Sequence, residues 1–381
     1  MELAWSAYVE GFSSDRDTAD PLGFRAVATR FARELVPGLT QVTSLTRGFS
    51  LIALGIDLLS KVHERDRDEL FLHFERLWVA AQVKHHGAVP EVPFAGKIAA
   101  QAYLGLGKPY PLAKPILAHQ LSVGLWGQYR KASVHFGLLN PMRVRSARPR
   151  FAKLKPDGKR IASAARDHAF EPDFQLARYI KKGTITQDVL DHVLPNGDRP
   201  DKEEVAILSQ AMGKADKGCG GALGNLRKVY DGQNGDTLKL ELETFKDKKY
   251  LKLLSKRQQE ALKAAGAVDE LMKKVEEPYR RWVTGEKPDT PAPSLWQHES
   301  WQILQAEGCP EIDSLHKTAR TAAEKGKDVF VALHEHHTWL ARRRGSEPWE
   351  PGVPHPAHKR FEPYDFCLNA ATWLFGEGVK P

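Results

Sequence analysis

From Arg143 to Arg160 the chain carries eight basic residues, Arg143, Arg145, Arg148, Arg150, Lys153, Lys155, Lys159 and Arg160, against a single acid, Asp157. Cationic groups at that density neutralise phosphates, and the commonest polyanions in a cytoplasm are double-stranded DNA and RNA. A helix leads into this run from about Leu125 to Leu138, with Leu125, Trp126, Tyr129, Ala132, Ser133 and Phe136 on one side. Arg130 and Lys131 fall near the other side with Gln128 at its margin, so these three would approach base edges while the cations of 143–160 neutralise phosphates.

A second group able to do chemistry is "HEHHTW", His334 to Trp339. A zincin helix needs His-Glu-x-x-His, which puts two imidazoles one turn apart with Glu as base. The fifth position here is Thr338, so the motif fails by one residue, although His334 and His337 share a face and His355, His358 or Asp365 could add ligands. A surface helix end packed beside Trp339 is the plainer reading, and no metal or other cofactor is expected. The alternative is a metal-dependent nuclease or hydrolase built on His334 and His337. "GKADKGCGG" has only the composition of a phosphate loop, since Lys214 follows the wrong glycine for a Walker motif.

The elements that must position these residues read as helices. Leu22, Phe24, Val27, Phe31 and Leu35 recur at helical spacing until Pro37-Gly38 stops them, and "FSLIALGIDLL" is a core helix carrying Asp57, too short and too polar to span a bilayer. "TLKLELETF", residues 237–245, reads either as a strand or as the start of the next helix, and "TGEKPDTPAPS", 284–294, is the best linker. Four regions follow: a helical 1–99, a module at 100–170, a helical 171–287, and a Trp- and His-rich helical 295–381.

The order helix, Gly137-Leu138-Leu139, basic excursion, then "LKPDGKRIASA" resembles the winged helix-turn-helix superfamily over residues 100–170. That resemblance implies a small β-hairpin between the two helices, with Lys155 standing where the pattern has Thr. "DPLGFRAVATRFARELVPGLTQVTSLTR" and "LHEHHTWLARRRGSEPW" with "YDFCLNAATWL" also resemble a set of bacterial proteins encoded beside restriction and phage-defence genes. The second resemblance implies a subunit or effector of a defence system that acts on or senses DNA, and it carries no catalytic residues over.

Composition fits a globular chain of 381 residues, with 41% hydrophobic and 27% charged residues, a net charge of +8 and a pI near 9.2. The three cysteines, Cys219, Cys309 and Cys367, form neither a disulfide framework nor a zinc spacing, and "MELAWSAYVEGFSSDRD" lacks the pattern of a secretory signal, so a cytoplasmic protein is expected. The expectation is a mainly α, multi-helical protein with an embedded winged-helix module. It would be a non-catalytic DNA-binding component, with RNA as the alternative polyanion, partner protein subunits and no membrane. A helical protein-protein adaptor is the third reading.

Overall fold

The computed structural model describes residues 20–40, 43–87, 96–142, 147–233, 238–353 and 363–381. The chain is mainly helical, and no strand occurs among the described residues. In chain order the helices are α1 Phe24–Leu35, α2 Thr46–Leu59, α3 Arg67–His86, α4 Lys97–Gly105, α5 Gln120–Val123, α6 Leu125–His135, α7 Pro156–Ala169, α8 Leu176–Ile180, α9 Lys202–Gly218 and α10 Ala222–Asp231. They continue as α11 Lys248–Leu251, α12 Lys256–Leu271, α13 Glu277–Val283, α14 Glu299–Ala306, α15 Pro310–Glu324, α16 Val329–Arg343 and α17 Pro363–Gly376. None of them is long and apolar enough to cross a membrane.

The chain forms two compact units, neither continuous in sequence: Met1–Val36 with Glu241–Cys367, and Pro37–Leu240 with Leu368–Pro381. In the first unit α12 packs on α1 and α14, and α15 packs on α16. Ser255 and Gln258 close a capping box at the start of α12, and the Gln258 amide also donates to the Leu35 carbonyl at the end of α1 (3.2 Å). A π-helical turn, Met272–Glu276, joins α12 to α13 where Pro278 removes a backbone donor from the helical ladder.

The second unit is built around α2, which is buried at every position except Asp57. A helix apolar on all sides must be surrounded, and α2 meets α7, α6, α3 and α9. Phe49 of α2 meets Tyr129 edge-on and Phe136 obliquely, while Phe71 of α3 meets Trp126 edge-on. The apolar side assigned to α6 from its spacing is therefore its core side. Glu75, buried in α3, sets the corner between α5 and α6: one carboxylate oxygen accepts the Leu125 N–H (2.8 Å) and the other the Gln120 amide (2.9 Å). Burial pushes this carboxyl up to about 7, against the lowering effect of those hydrogen bonds and of Arg76.

Helix α6 ends as its sequence predicts. Gly137 takes a left-handed φ of 71°, and the Leu138 N–H returns to the Ser133 carbonyl (2.8 Å). The excursion that follows is pinned at its base by one antiparallel bridge, Leu139 with Leu154, flanked by hydrogen bonds from Asn140 N to Lys153 O and from Lys155 N to Leu138 O. Its described far end is a 3-10 turn, Pro149–Phe151, rather than a returning strand, because Pro149 has no N–H and the Arg150 N–H is taken by Asp68. Similarly, Leu240 of the "TLKLELETF" stretch gives its N–H to the Thr372 hydroxyl instead of a ladder partner, and Leu242–Lys246 is a 3-10 turn.

Helix α7 starts with Pro156 in its first turn, and Gly158 lies against the preceding loop so closely that a Cβ there would sit 2.1 Å from the Leu138 carbonyl oxygen. Helix propensity alone favours Gly158→Ala by about 1 kcal/mol. The close contact reverses the sign, and chemical denaturation of Gly158→Ala should show a loss of about 1 to 3 kcal/mol.

Candidate nucleic-acid interface

The basic run is split by the fold into two parts with different work, both within the second unit. Arg143 and Arg145 lie outside the described residues. Asp68, near the start of α3, gathers the next two cations: Arg148 Nη1 is 3.7 Å and Arg150 Nε 3.5 Å from one of its oxygens, and the other accepts the Arg150 backbone N–H (2.9 Å). The Arg150 guanidinium also lies 4.9 Å over the Phe151 ring. Trp126 Nε1 and Arg130 Nη1 both donate to the Ala147 carbonyl (3.0 and 2.8 Å), which fastens the excursion to α6. Burial lowers the Arg130 guanidinium below its ordinary range, and the Gln128 amide donates to the Val123 carbonyl (2.8 Å). Of the three residues expected at base edges, Gln128 and Arg130 thus spend side-chain donors on backbone carbonyls, and Lys131 is exposed with contacts of its own.

The second half of the run faces water. Lys153, Lys159 and Arg160 are exposed, and Lys155 is half-buried at the N-cap of α7. Arg160 bonds Gln210 of α9 (2.9 Å) and approaches Asp157 (3.3 Å); the second Asp157 oxygen takes Lys214 of α9 at 2.7 Å. The Lys214 hydrogen bond, with help from Arg160, holds the Asp157 carboxyl below its usual range. The acid within the patch is therefore already neutralised. Lys217, one turn beyond Lys214, extends the cations along α9, so the surface comprises Lys153, Lys155, Lys159, Arg160, Lys214 and Lys217. Sequence reading missed the two α9 lysines, although the spacing of Gln210, Lys214 and Lys217 along one helical face was the available signal.

The glycine-rich stretch 213–225 has a local purpose. Asp216 accepts the N–H groups of Leu223 (2.7 Å) and Gly224 (2.9 Å), so the positive end of α10 is filled by the chain's own carboxylate.

In the first unit, His337 has both ring nitrogens committed: Nδ1–H donates to the Pro21 carbonyl (3.0 Å) and Nε2 accepts the Trp349 N–H (2.8 Å). His334 Nδ1 accepts from the Tyr279 hydroxyl (3.0 Å). The two imidazoles are neighbours, with centroids 5.9 Å apart, yet His337 has no lone pair left for a metal. Among the described residues no group of three metal-ligating side chains occurs; His355 and His358 lie outside them. In the "RRR" that follows, Arg344 bonds the Asp20 carbonyl (2.9 Å), whereas Arg343 lies 5.4 Å over the exposed Trp339 ring.

The histidine of this segment that matters for stability is the one between them. His336 is 3% exposed, and burial pushes its pKa down to about 4. Because that lies below the ordinary value of 6.5, the unfolded chain takes up the proton first, so the contribution is full above 6.5 and is lost as pH falls toward 4. Between pH 7 and pH 5 it removes about 2 kcal/mol. Denaturant unfolding of wild type and His336→Leu at both pH values should show this difference; equal pH dependence in the two proteins would contradict it.

No family model, curated protein or solved structure matches this chain.

Proposed function

We propose that the second unit binds nucleic acid, most simply double-stranded DNA, through the surface where α7 meets α9, and that the protein acts there without catalysis. The observation that carries this reading is the gathering of Lys153, Lys155, Lys159 and Arg160 with Lys214 and Lys217, where Asp157 is already spent on Arg160 and Lys214. Cations so placed release counterions from a phosphate backbone and supply affinity with little base specificity. In this reading residues 100–170 are a winged-helix-like module, with the excursion from Asn140 to Lys153 as its wing and α7 presenting the phosphate contacts. The guanidinium groups of Arg130, Arg148 and Arg150 anchor the wing instead of touching the ligand. A place in a bacterial defence or DNA-processing assembly rests on the terminal sequence motifs alone.

The test is duplex binding by fluorescence anisotropy as salt is raised from about 50 to 200 mM, with a logarithmic slope of about −0.9 for each phosphate contacted. Binding with no salt dependence, or none at the low-salt end, overturns the reading. Single-stranded DNA and duplex RNA of the same length rank the alternatives.

A further inference from the structure

Helix α7 has two sides of opposite character. Gly158, Ile161, Ala162, Ala164, Ala165 and Ala169 are buried, and side chains this small let α7 lie close on α2 and α9. Pro156, Lys159, Arg160, Ser163, Arg166 and Asp167 recur every three or four residues on the other side; all six are exposed. Along this stripe the first turns carry the cations Lys159 and Arg160, and the later turns carry Ser163, Arg166 and Asp167, whose side chains have no partner among the described residues. Both ends of the helix are fixed, by Pro156 in its first turn and by the bridge of Phe170 with Val193, so the stripe is presented in one geometry.

The geometry points to the later turns of α7 as the element that reads base edges in the major groove of duplex DNA, with Arg166 and Asp167 selecting a G·C pair and Ser163 contacting a neighbouring one. This rests on the duplex reading above, and it adds residues outside the set that holds phosphates. An unpaired carboxylate repels phosphates, so Asp167 is out of place on a surface that only follows the backbone. At a base edge it has a partner: the N4 amine of cytosine donates to it, while the guanine of the pair offers O6 and N7 to the guanidinium fork of Arg166. Glu171, the next acid, is paired with His192 and does not compete for that fork. At a rise of about 1.5 Å per residue, Ser163 and Asp167 stand about 6 Å apart along the axis, close to two base-pair steps of about 3.4 Å. The outward residues of α6 are less available, since Gln128 and Arg130 give side-chain donors to the Val123 and Ala147 carbonyls. A B-form major groove admits a single helix, whereas the A-form groove of duplex RNA is too deep and narrow for side chains to read.

The experiment selects binders of the full chain from a duplex DNA library with a randomised centre at about 150 mM salt, then compares the enriched and a shuffled duplex by anisotropy. A core of about three base pairs containing G·C should be enriched, with about a tenfold preference over the shuffled duplex. Replacing the core guanine by 7-deazaguanine removes the N7 acceptor and keeps the base pair, so most of that preference should go. Arg166→Lys keeps the charge at an exposed position and loses the fork: affinity for the shuffled duplex and its salt slope should match wild type, while the guanine preference falls about tenfold. A library that enriches no core, a guanine preference that survives Arg166→Lys, or duplex RNA bound as tightly as DNA of the same sequence overturns the inference and leaves backbone binding in place. Absence of any duplex binding at low salt removes the backbone surface, and the reading helix with it.

Discussion

Reversing Lys153, Lys155, Lys159 and Arg160 to glutamate should abolish duplex binding, with a loss of about a hundredfold or more at about 100 mM salt. Each reversal removes one counterion-releasing contact and adds a repelling charge, and the four side chains lie at the base of the excursion and on the first turns of α7. Circular dichroism should stay native, because none of the four is buried, although Arg160→Glu gives up the bond to Gln210. Arg148→Glu with Arg150→Glu should behave oppositely. Two acids beside Asp68 loosen the excursion, so stability falls while duplex affinity changes less. If the Arg148 and Arg150 pair costs more affinity than the four surface changes, the assignment of the surface is wrong.

The second large effect is expected inside the second unit. Arg47 and Glu204 are both fully buried and form an ion pair at 2.9 Å; Arg47 also bonds the Arg199 carbonyl and lies 5.9 Å from the centre of the Trp78 ring. Burial pushes the Glu204 carboxyl above its ordinary value in spite of the arginine. Arg47→Met leaves that carboxyl in an apolar interior with its countercharge gone, at a cost of about 3 to 5 kcal/mol near neutral pH. Since Glu204 can escape by taking up a proton, the cost should shrink as the pH is lowered. Combining Arg47→Met with Glu204→Leu should recover most of the loss, because burial of two apolar chains replaces burial of two charges. Urea unfolding of the two variants measures both, and a double variant no more stable than Arg47→Met would assign the cost to packing around Trp78.

What the sequence made legible were the features decided by neighbours along the chain. The stop at Gly137, the start at Pro156, the core face of α6 and the core character of α2 all follow from spacing and local backbone chemistry. The basic run was legible as a charge excess but not as a division of labour. Asp68 lies about 80 positions before Arg148 and Arg150, and nothing in the composition of either segment announces their meeting. Lys214 was hidden for the same reason, as was the commitment of His337 to a carbonyl at Pro21 and an N–H at Trp349. The resemblance over residues 100–170 implies a hairpin for the excursion. Its described part is instead governed by Pro149 and by a competing acceptor for the Arg150 N–H.

The interleaving of the two units has a consequence for synthesis. Helix α1 buries Phe24, Val27, Phe31 and Leu35, and it packs on α12, which the ribosome makes about 220 residues later. At roughly 5 to 20 residues per second, the apolar face of α1 waits on the order of 10 to 40 seconds for its partner, long enough for the whole of 37–240 to be made first. During that interval α1 is an amphipathic segment without a docking place, a natural client for a holding chaperone. A rearranged chain in which the α1 segment is moved to stand directly before α12 would remove the wait, and soluble yield would then depend far less on chaperone supply.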